Sequence, residues 1–216
     1  PTNDQNLILK AAKYIGAAPK HFHLVKNLPP ASGIGGGSAD AAAALRLLGI
    51  SAELPLEART KLARDIGADI PLCLLGKTCL MDGIGERLTP LPNLGQIPVV
   101  MVNPGLALST GKVFKIFDSL PPPTRPVFKQ QASLGEGAHA GQNDLQSAAI
   151  SVMPEILNVI KALEASKGFQ LARMSGSGAT CFGLFKDLRH AYAAKALISE
   201  QNPSWWCVAG MLGDRP

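Results

Sequence analysis

The sequence predicts an α+β protein of two domains. Strands and helices alternate along the 216 residues without a repeat or a low-complexity tract, segments of both helical and strand periodicity occur in each half, and the pattern restarts with a new buried strand after Pro92. With 46% hydrophobic residues the chain can bury one generous core or two modest ones. We place the boundary so that residues 1–92 make the first domain and residues 93–216 the second.

In the first domain Leu7, Ile8, Ala11, Ala12 and Ile15 recur at helical spacing, which predicts a helix over residues 6–15 ended by Gly16 and Pro19. The helix starts almost at Pro1 and no initiator Met precedes it, so residues ahead of Pro1 are expected in the natural protein. Residues 21–26 alternate, with Phe22 and Leu24 on one face and His21 and His23 on the other, and predict a strand. A glycine loop leads into an alanine-rich helix over residues 38–48, closed by Gly49. A second helix is expected over residues 55–66, with Pro55 in its first turn and Gly67 ending it. Two short strands, 78–82 and 86–91, flank the tight turn Gly83-Ile84-Gly85.

The second domain opens on the apolar strand 97–102, and the turn Asn103-Pro104-Gly105 leads to a helix over residues 110–118. Residues 120–141 hold Pro121-Pro122-Pro123 and Gly135-Glu136-Gly137 and are expected as a long connection. Helices resume at Asn143, read as an N-cap, break at Pro154 and end near Gly168. Strand 170–174, a glycine turn, strand 180–185, helix 188–201 and strand 205–211 complete the chain, with Trp205 and Trp206 packing on the last strand.

Several function classes are excluded by bulk properties. No apolar stretch approaches the ~20 residues of a membrane span, and the first residues lack the basic start and apolar run of a secretion signal. The four cysteines, Cys73, Cys79, Cys181 and Cys207, are far apart and form no CxxC pair, so neither a disulfide framework nor a structural metal site is expected and a cytoplasmic location fits. The net charge is +5 and the pI near 9.1, yet the basic residues are spread out and aromatic residues make up only 5%. A nucleic-acid surface needs a denser basic stripe with stacking aromatics, so no nucleic-acid partner is expected. His21 and His23 share a strand face as metal ligands do, but no third ligand accompanies them and they read as exposed strand residues.

Three segments carry chemistry. Gly33-Ile34-Gly35-Gly36-Gly37-Ser38-Ala39-Asp40 stands between a strand and a helix. Consecutive glycines let main-chain N–H groups converge on an anion, and the helix start adds unpaired N–H groups and a positive dipole end. The segment is neither a P-loop, which ends in Gly-Lys-Ser/Thr, nor a dinucleotide fingerprint. A plain turn is the competing reading, and four glycines in five positions favour phosphate binding. In Gly67-Ala68-Asp69-Ile70-Pro71 an acidic residue lies among apolar neighbours just past a helix end. By spacing alone that position reads first as a turn aspartate, and as a candidate base second. Ser175-Gly176-Ser177-Gly178-Ala179-Thr180 is equally a hairpin turn or a ligand-binding element.

These three segments, in this order, resemble the GHMP kinases. Lys26-Asn27-Leu28-Pro29, the glycine loop, Gly67-Ala68-Asp69-Ile70-Pro71 and Gly83-Ile84-Gly85-Glu86 are similar in detail to the diphosphocytidyl-methylerythritol kinases within that superfamily. The resemblance implies a ribosomal-protein-S5-like N-terminal domain, here incomplete, and a ferredoxin-like C-terminal domain. It implies a kinase acting with ATP and Mg²⁺ on a cytidylyl methylerythritol substrate, as a monomer or homodimer. Pro29, Pro30, Ala31, Ser32, Gly33, Ile34, Gly35, Gly36, Gly37, Ser38 and Ala39 match the loop that wraps ATP, and Asn6, Leu7 and Lys26 match positions near the adenine nucleotide. Asp69 matches the aspartate that accepts the proton of the C2 hydroxyl. Thr110 and Phe114 match positions beside the cytidine, with Ser175 and Gly176 of the late glycine motif on the substrate side.

The family also carries an N-terminal strand with a lysine that pairs with the catalytic aspartate and an aromatic-histidine pair that grips cytosine. Nothing in this sequence matches either, and about the last three quarters of the family's length is represented. Another GHMP kinase, for mevalonate or homoserine, is one alternative, against which Gly83-Ile84-Gly85-Glu86 argues. A non-catalytic nucleotide-binding fragment is the other.

Overall fold

A computed structural model describes residues 5–18, 21–30, 32–122 and 133–214. The described residues group into two compact units, one of residues 5–30 and 35–93, the other of residues 32–34 and 94–214.

The first unit contains α1 (Leu7–Tyr14), α2 (Gly36–Leu47), α3 (Leu56–Asp65), α4 (Ile70–Leu75), β1 (Cys79–Asp82) and β2 (Arg87–Pro90). Asn6 caps α1, its Oδ1 accepting from the Ile8 amide at 2.8 Å. The core joins Ala11 of α1, Ala41, Ala42 and Leu45 of α2, Leu62 of α3, and Ile70 and Leu74 of α4. Alanines at the α1–α2 contact let the helix backbones approach closely, which a larger side chain would prevent. Helix α2 ends in a Schellman arrangement: Gly49, at φ +86°, donates to the Arg46 carbonyl and Ile50 to that of Leu45, both at 3.0 Å. Strands β1 and β2 pair antiparallel from Cys79 opposite Pro90 to Asp82 opposite Arg87.

The second unit contains β3 (Gln96–Asn103), α5 (Thr110–Phe117), α6 (Leu134–Ala140), α7 (Gln146–Val152), α8 (Glu155–Glu164), β4 (Phe169–Met174), β5 (Cys181–Phe185), α9 (Leu188–Gln201) and β6 (Trp206–Gly213). Its sheet runs in the order β4-β5-β3-β6 and every neighbouring pair is antiparallel, the ferredoxin-like arrangement. Val100, Val102, Met174, Cys181 and Phe185 of the strands pack with Ile156, Val159 and Leu163 of α8 and Ala191, Ala194 and Ile198 of α9. That layer is why α8 and α9 show apolar residues at three- and four-residue spacing.

Several expected elements differ. Residues 21–26 are irregular, and among the described residues no strand pairs with them. Alternation alone makes an extended segment, and a strand needs a neighbour to take its backbone hydrogen bonds. Helix α2 begins two residues earlier than expected, inside the glycine run, because Gly35 rather than Ser38 takes the N-cap position. Pro55 is likewise the N-cap of α3 and not its first helical residue. The six-residue α4 after Asp69 was not expected; Pro71, which would break a helix interior, is tolerated in its first turn. Helix α6 lies inside the expected connection, capped by Ser133 whose Oγ accepts from the Glu136 amide, while residues 123–132 of that connection lie outside the described residues. Asn143 is not an N-cap, because α7 starts only at Gln146.

Candidate functional site

In the first unit the candidate site is built on the start of α2. Gly35 holds the left-handed conformation, φ +65° and ψ 15°, and no side chain caps the helix. Glycine meets that backbone at little cost. The leading amides of α2 therefore have no side-chain acceptor, and with the positive end of the helix dipole they form a turn suited to an anion. Ser38 is buried behind it at 9% exposure, and the Ala39 amide closes the first helical bond to the Gly35 carbonyl at 2.9 Å.

Asp69 stands beside this turn. Its Oδ2 is 3.7 Å from the point a Cβ on Gly35 would occupy. It occupies the N-cap position of α4, yet its carboxylate makes no capping hydrogen bond, so it is not consumed by the helix that follows. The Arg46 guanidinium of α2 donates to the carbonyls of Cys73 at 2.8 Å and Leu74 at 3.3 Å, tying the far end of α4 to α2. Burial, reinforced by the Asp69 charge and opposed by Arg46, pushes the Cys73 thiol up to about 11. The hairpin turn approaches from another side, with Gly85 against the Ala68 carbonyl. The turn is wrapped on Glu86, whose Oε2 accepts from the Ile84 amide at 2.7 Å. Its own amide and that of Ile84 hold the Glu86 carboxyl below its ordinary value.

Other predicted residues gather at the same helix start. Lys26 is ion-paired with Asp40, its Nζ 3.2 Å from where a Cβ on Gly36 would lie, and the Leu7 Cδ1 is 3.3 Å from that point on Gly37. Asn6 arrives as the cap of the helix that carries Leu7. Pro29 is half-buried, Pro30 exposed, and Ala31 lies outside the described residues. Asp40 is the residue that sequence reasoning missed here. On α2 it is four residues past Gly36, hence on the same helix face, but that spacing does not tell which cation it meets.

In the second unit residues 32–34 meet the late glycine motif. The Ser32 carbonyl accepts from the Thr180 amide at 3.2 Å, and the Gly33 carbonyl from the Ser175 hydroxyl at 3.0 Å. A Cβ on Gly33 would lie 2.5 Å from the carbonyl oxygens of Gly178 and Ser175, and one on Gly176 would lie 2.7 Å from the Gly33 carbonyl oxygen. Ile34 is half-buried. Thr110 Oγ1 and Ser177 Oγ are 3.0 Å apart. A cleft of about 500 Å³ is lined by Phe114, Phe117, Asn143, Arg173, Ser175 and Gly176, among others, so Phe114, Ser175 and Gly176 share one cleft, while Thr110 and its partner Ser177 are not in its lining and Asp69 belongs to the first unit. Asn143 and Arg173 were not anticipated. Asn143 Nδ2 donates to the carbonyls of Met174 and Gly176, each at 2.8 Å. The Arg173 guanidinium donates to the Ala138 carbonyl at 2.7 Å, and burial lowers its pKa.

His21 and His23 are exposed, and among the described residues no three His, Cys, Asp or Glu side chains come together as metal ligands. No helix among them is long and apolar enough to cross a membrane.

A family model described as the GHMP kinases N terminal domain matches residues 6–77, and one described as GHMP kinases C terminal matches residues 126–203. The 4-diphosphocytidyl-2-C-methyl-D-erythritol kinase of Paracoccus denitrificans is 49% identical over 211 residues, covering 96% of this chain and 74% of that protein. The enzyme of the same name from Rhodopseudomonas palustris strain BisB18 is 45% identical, covering 98% of this chain and 75% of that protein. A crystal structure of 4-(cytidine 5'-diphospho)-2C-methyl-D-erythritol kinase superposes with a TM-score of 0.76 at 35% identity, over 100% of this chain and 81% of that one. A homoserine kinase from Cytophaga hutchinsonii, at 17% identity and a TM-score of 0.61, shares the fold. The chain belongs to the GHMP kinases, in the family of the 4-diphosphocytidyl-2-C-methyl-D-erythritol kinases, and is a small-molecule kinase.

Proposed function

We propose that this protein transfers the γ-phosphoryl group of ATP to the 2-hydroxyl of 4-diphosphocytidyl-2-C-methyl-D-erythritol, a cytoplasmic step of the non-mevalonate route to isoprenoids. The observation that carries the reading is the pairing of an uncapped, glycine-lined start of α2 with the Asp69 carboxylate beside Gly35. One receives an anion and the other accepts a proton, the two functions a direct phosphoryl transfer to an alcohol requires.

On this reading Pro29 to Ala39 enclose the nucleotide phosphates, and Asn6, Leu7 and Lys26 also border the nucleotide. Asp69 takes the proton of the acceptor hydroxyl as its oxygen bonds to the γ-phosphorus and the bond to the ADP oxygen breaks. No covalent enzyme intermediate is required. Thr110, Phe114, Ser175 and Gly176 contact the cytidylyl acceptor. Mg²⁺ would accompany the nucleotide, commonly held by phosphate oxygens and one or two protein oxygens. Bound there, the ion would supply charge neutralisation to the transferring group. Positioning and electrostatics then account for most of the rate.

A substrate panel tests the assignment. ADP formation is expected with the cytidylyl methylerythritol acceptor and not with mevalonate or homoserine, and the opposite preference would overturn it. Asp69→Asn is expected to lower kcat by about three orders of magnitude with little change in ATP affinity. A fully active Asp69→Asn protein would remove Asp69 from the mechanism.

A further inference from the structure

Lys26 stands in an electrostatically awkward place. Its Nζ lies over the first turn of α2, 3.2 Å from where a Cβ on Gly36 would be, and that turn is the positive end of the helix dipole. A lysine with a long, freely rotating stem would normally turn its ammonium away from such a site into water. What opposes this is Asp40, whose carboxylate ion-pairs with Lys26 at a partly exposed position, the two side chains being 29% and 23% exposed. The register explains the reach. Helical side chains lean toward the N-terminus, so Asp40 covers the turn that begins at Gly36, four residues earlier. Glycine at position 36 leaves the room the ammonium fills.

We propose that Asp40 is a positioning residue for the nucleotide: it holds the Lys26 ammonium at the start of α2, so that a cation is in place where the phosphates of ATP arrive. Asp40 acts only through Lys26, since a carboxylate adjoining the triphosphate would by itself repel it. The inference rests on the kinase reading above and adds to it the residue that fixes one of its binding groups.

A double-mutant cycle on ATP binding and turnover tests this in the full chain. Asp40→Ala is expected to raise the KM and Kd for ATP about tenfold, with the KM for the acceptor unchanged and kcat at saturating ATP reduced less than about threefold. Asp40→Asn, which keeps the shape and loses the charge, is expected to fall between Asp40→Ala and the parent. Asp40→Glu is expected to restore much of the affinity. Lys26→Ala is expected to weaken ATP at least as much, and Lys26→Ala/Asp40→Ala to be no weaker than Lys26→Ala alone, the signature of two residues acting as one. Additive losses, or an Asp40→Ala protein with unaltered ATP affinity beside a weakened Lys26→Ala, would overturn the proposal while leaving Lys26 as a nucleotide contact. Unaltered affinity in both single variants also overturns it and removes Lys26 from the site. Failure of the kinase reading is separate, since it appears as no turnover by the parent protein with any acceptor of the panel.

Discussion

Gly85 packs against the carbonyl of Ala68, the residue directly before Asp69, and a Cβ on Gly85 would collide with that oxygen. Gly85 is also at φ +102°, a backbone conformation that side chains disfavour. The Gly83-Ile84-Gly85-Glu86 turn is therefore a brace for the backbone that carries the proposed base. Gly85→Ala is expected to cost about 2–4 kcal/mol of stability in denaturant unfolding. Because relief of the clash pushes Ala68 and with it Asp69, kcat is expected to fall by more than the folded fraction does. A loss of stability at full kcat per folded molecule would show that the turn does not position Asp69.

Gly33 sets a comparable test in the second unit. With φ +73° and carbonyl oxygens of Gly178 and Ser175 2.5 Å from its would-be Cβ, it has no room for a side chain. Both obstacles are backbone, which cannot swing aside as a side chain can. Gly33→Ala is expected to lose about 2–4 kcal/mol and to break the bond from the Ser175 hydroxyl to the Gly33 carbonyl. Ser175→Ala, which removes only that hydrogen bond, is expected to cost about 1 kcal/mol. Equal effects for the two variants would show that the packing of residue 33 is not what matters.

What could be read in advance follows from how local each determinant is. In the second unit β3, β5, α8 and α9 were legible because each carries its own apolar pattern, and α9 was expected over the residues it occupies, Leu188–Gln201, whereas α6 was not. The strand over residues 21–26 failed because pairing depends on a neighbour, which alternation in one segment cannot supply. Helix α4 was hidden by Pro71, whose effect reverses between a helix interior and a first turn. In the site, glycines with positive φ and the Asp69 motif were visible as residue types at fixed spacing. Asp40 and Asn143 were not, because each acts on a partner far along the chain: Lys26 is 14 residues from Asp40, and Met174 is 31 residues from Asn143.

Asn143 joins the loop before α7 to the end of β4. Its Nδ2 donates to two carbonyls, those of Met174 and Gly176, while its Oδ1 accepts from the Leu145 amide at 3.0 Å. One amide group thus answers three backbone groups at the rim of the cleft. Asn143→Asp keeps the acceptor and replaces the donors by an anion facing carbonyl oxygens, so it is expected to be worse than Asn143→Ala. The alanine variant is expected to cost about 2 kcal/mol. Both variants are expected to raise the KM for the acceptor more than that for ATP, since Gly176 lies among the proposed acceptor contacts. Steady-state kinetics with each substrate varied in turn decides this, and an effect confined to ATP would reassign the cleft.

Asp187 makes the stability of α9 depend on acid. Its Oδ1 accepts from the His190 amide at 2.9 Å as the helix cap and lies 2.8 Å from His190 Nδ1. The amide bond first, then the contact with the imidazole, hold the carboxyl below its ordinary 3.8. A carboxyl that is more acidic when folded binds fewer protons than in the unfolded chain, so its contribution is complete above the unfolded value and fades as pH falls through the lower folded one. The unfolding midpoint is therefore expected to drop over the acid interval below about pH 4, apart from what other carboxyls contribute. Asp187→Asn retains an oxygen acceptor for the cap but cannot titrate, so it is expected to start less stable at neutral pH and to lose less over that interval. Parallel curves for the two proteins would mean that the cap is indifferent to its charge, and that hydrogen-bond geometry alone holds the start of α9.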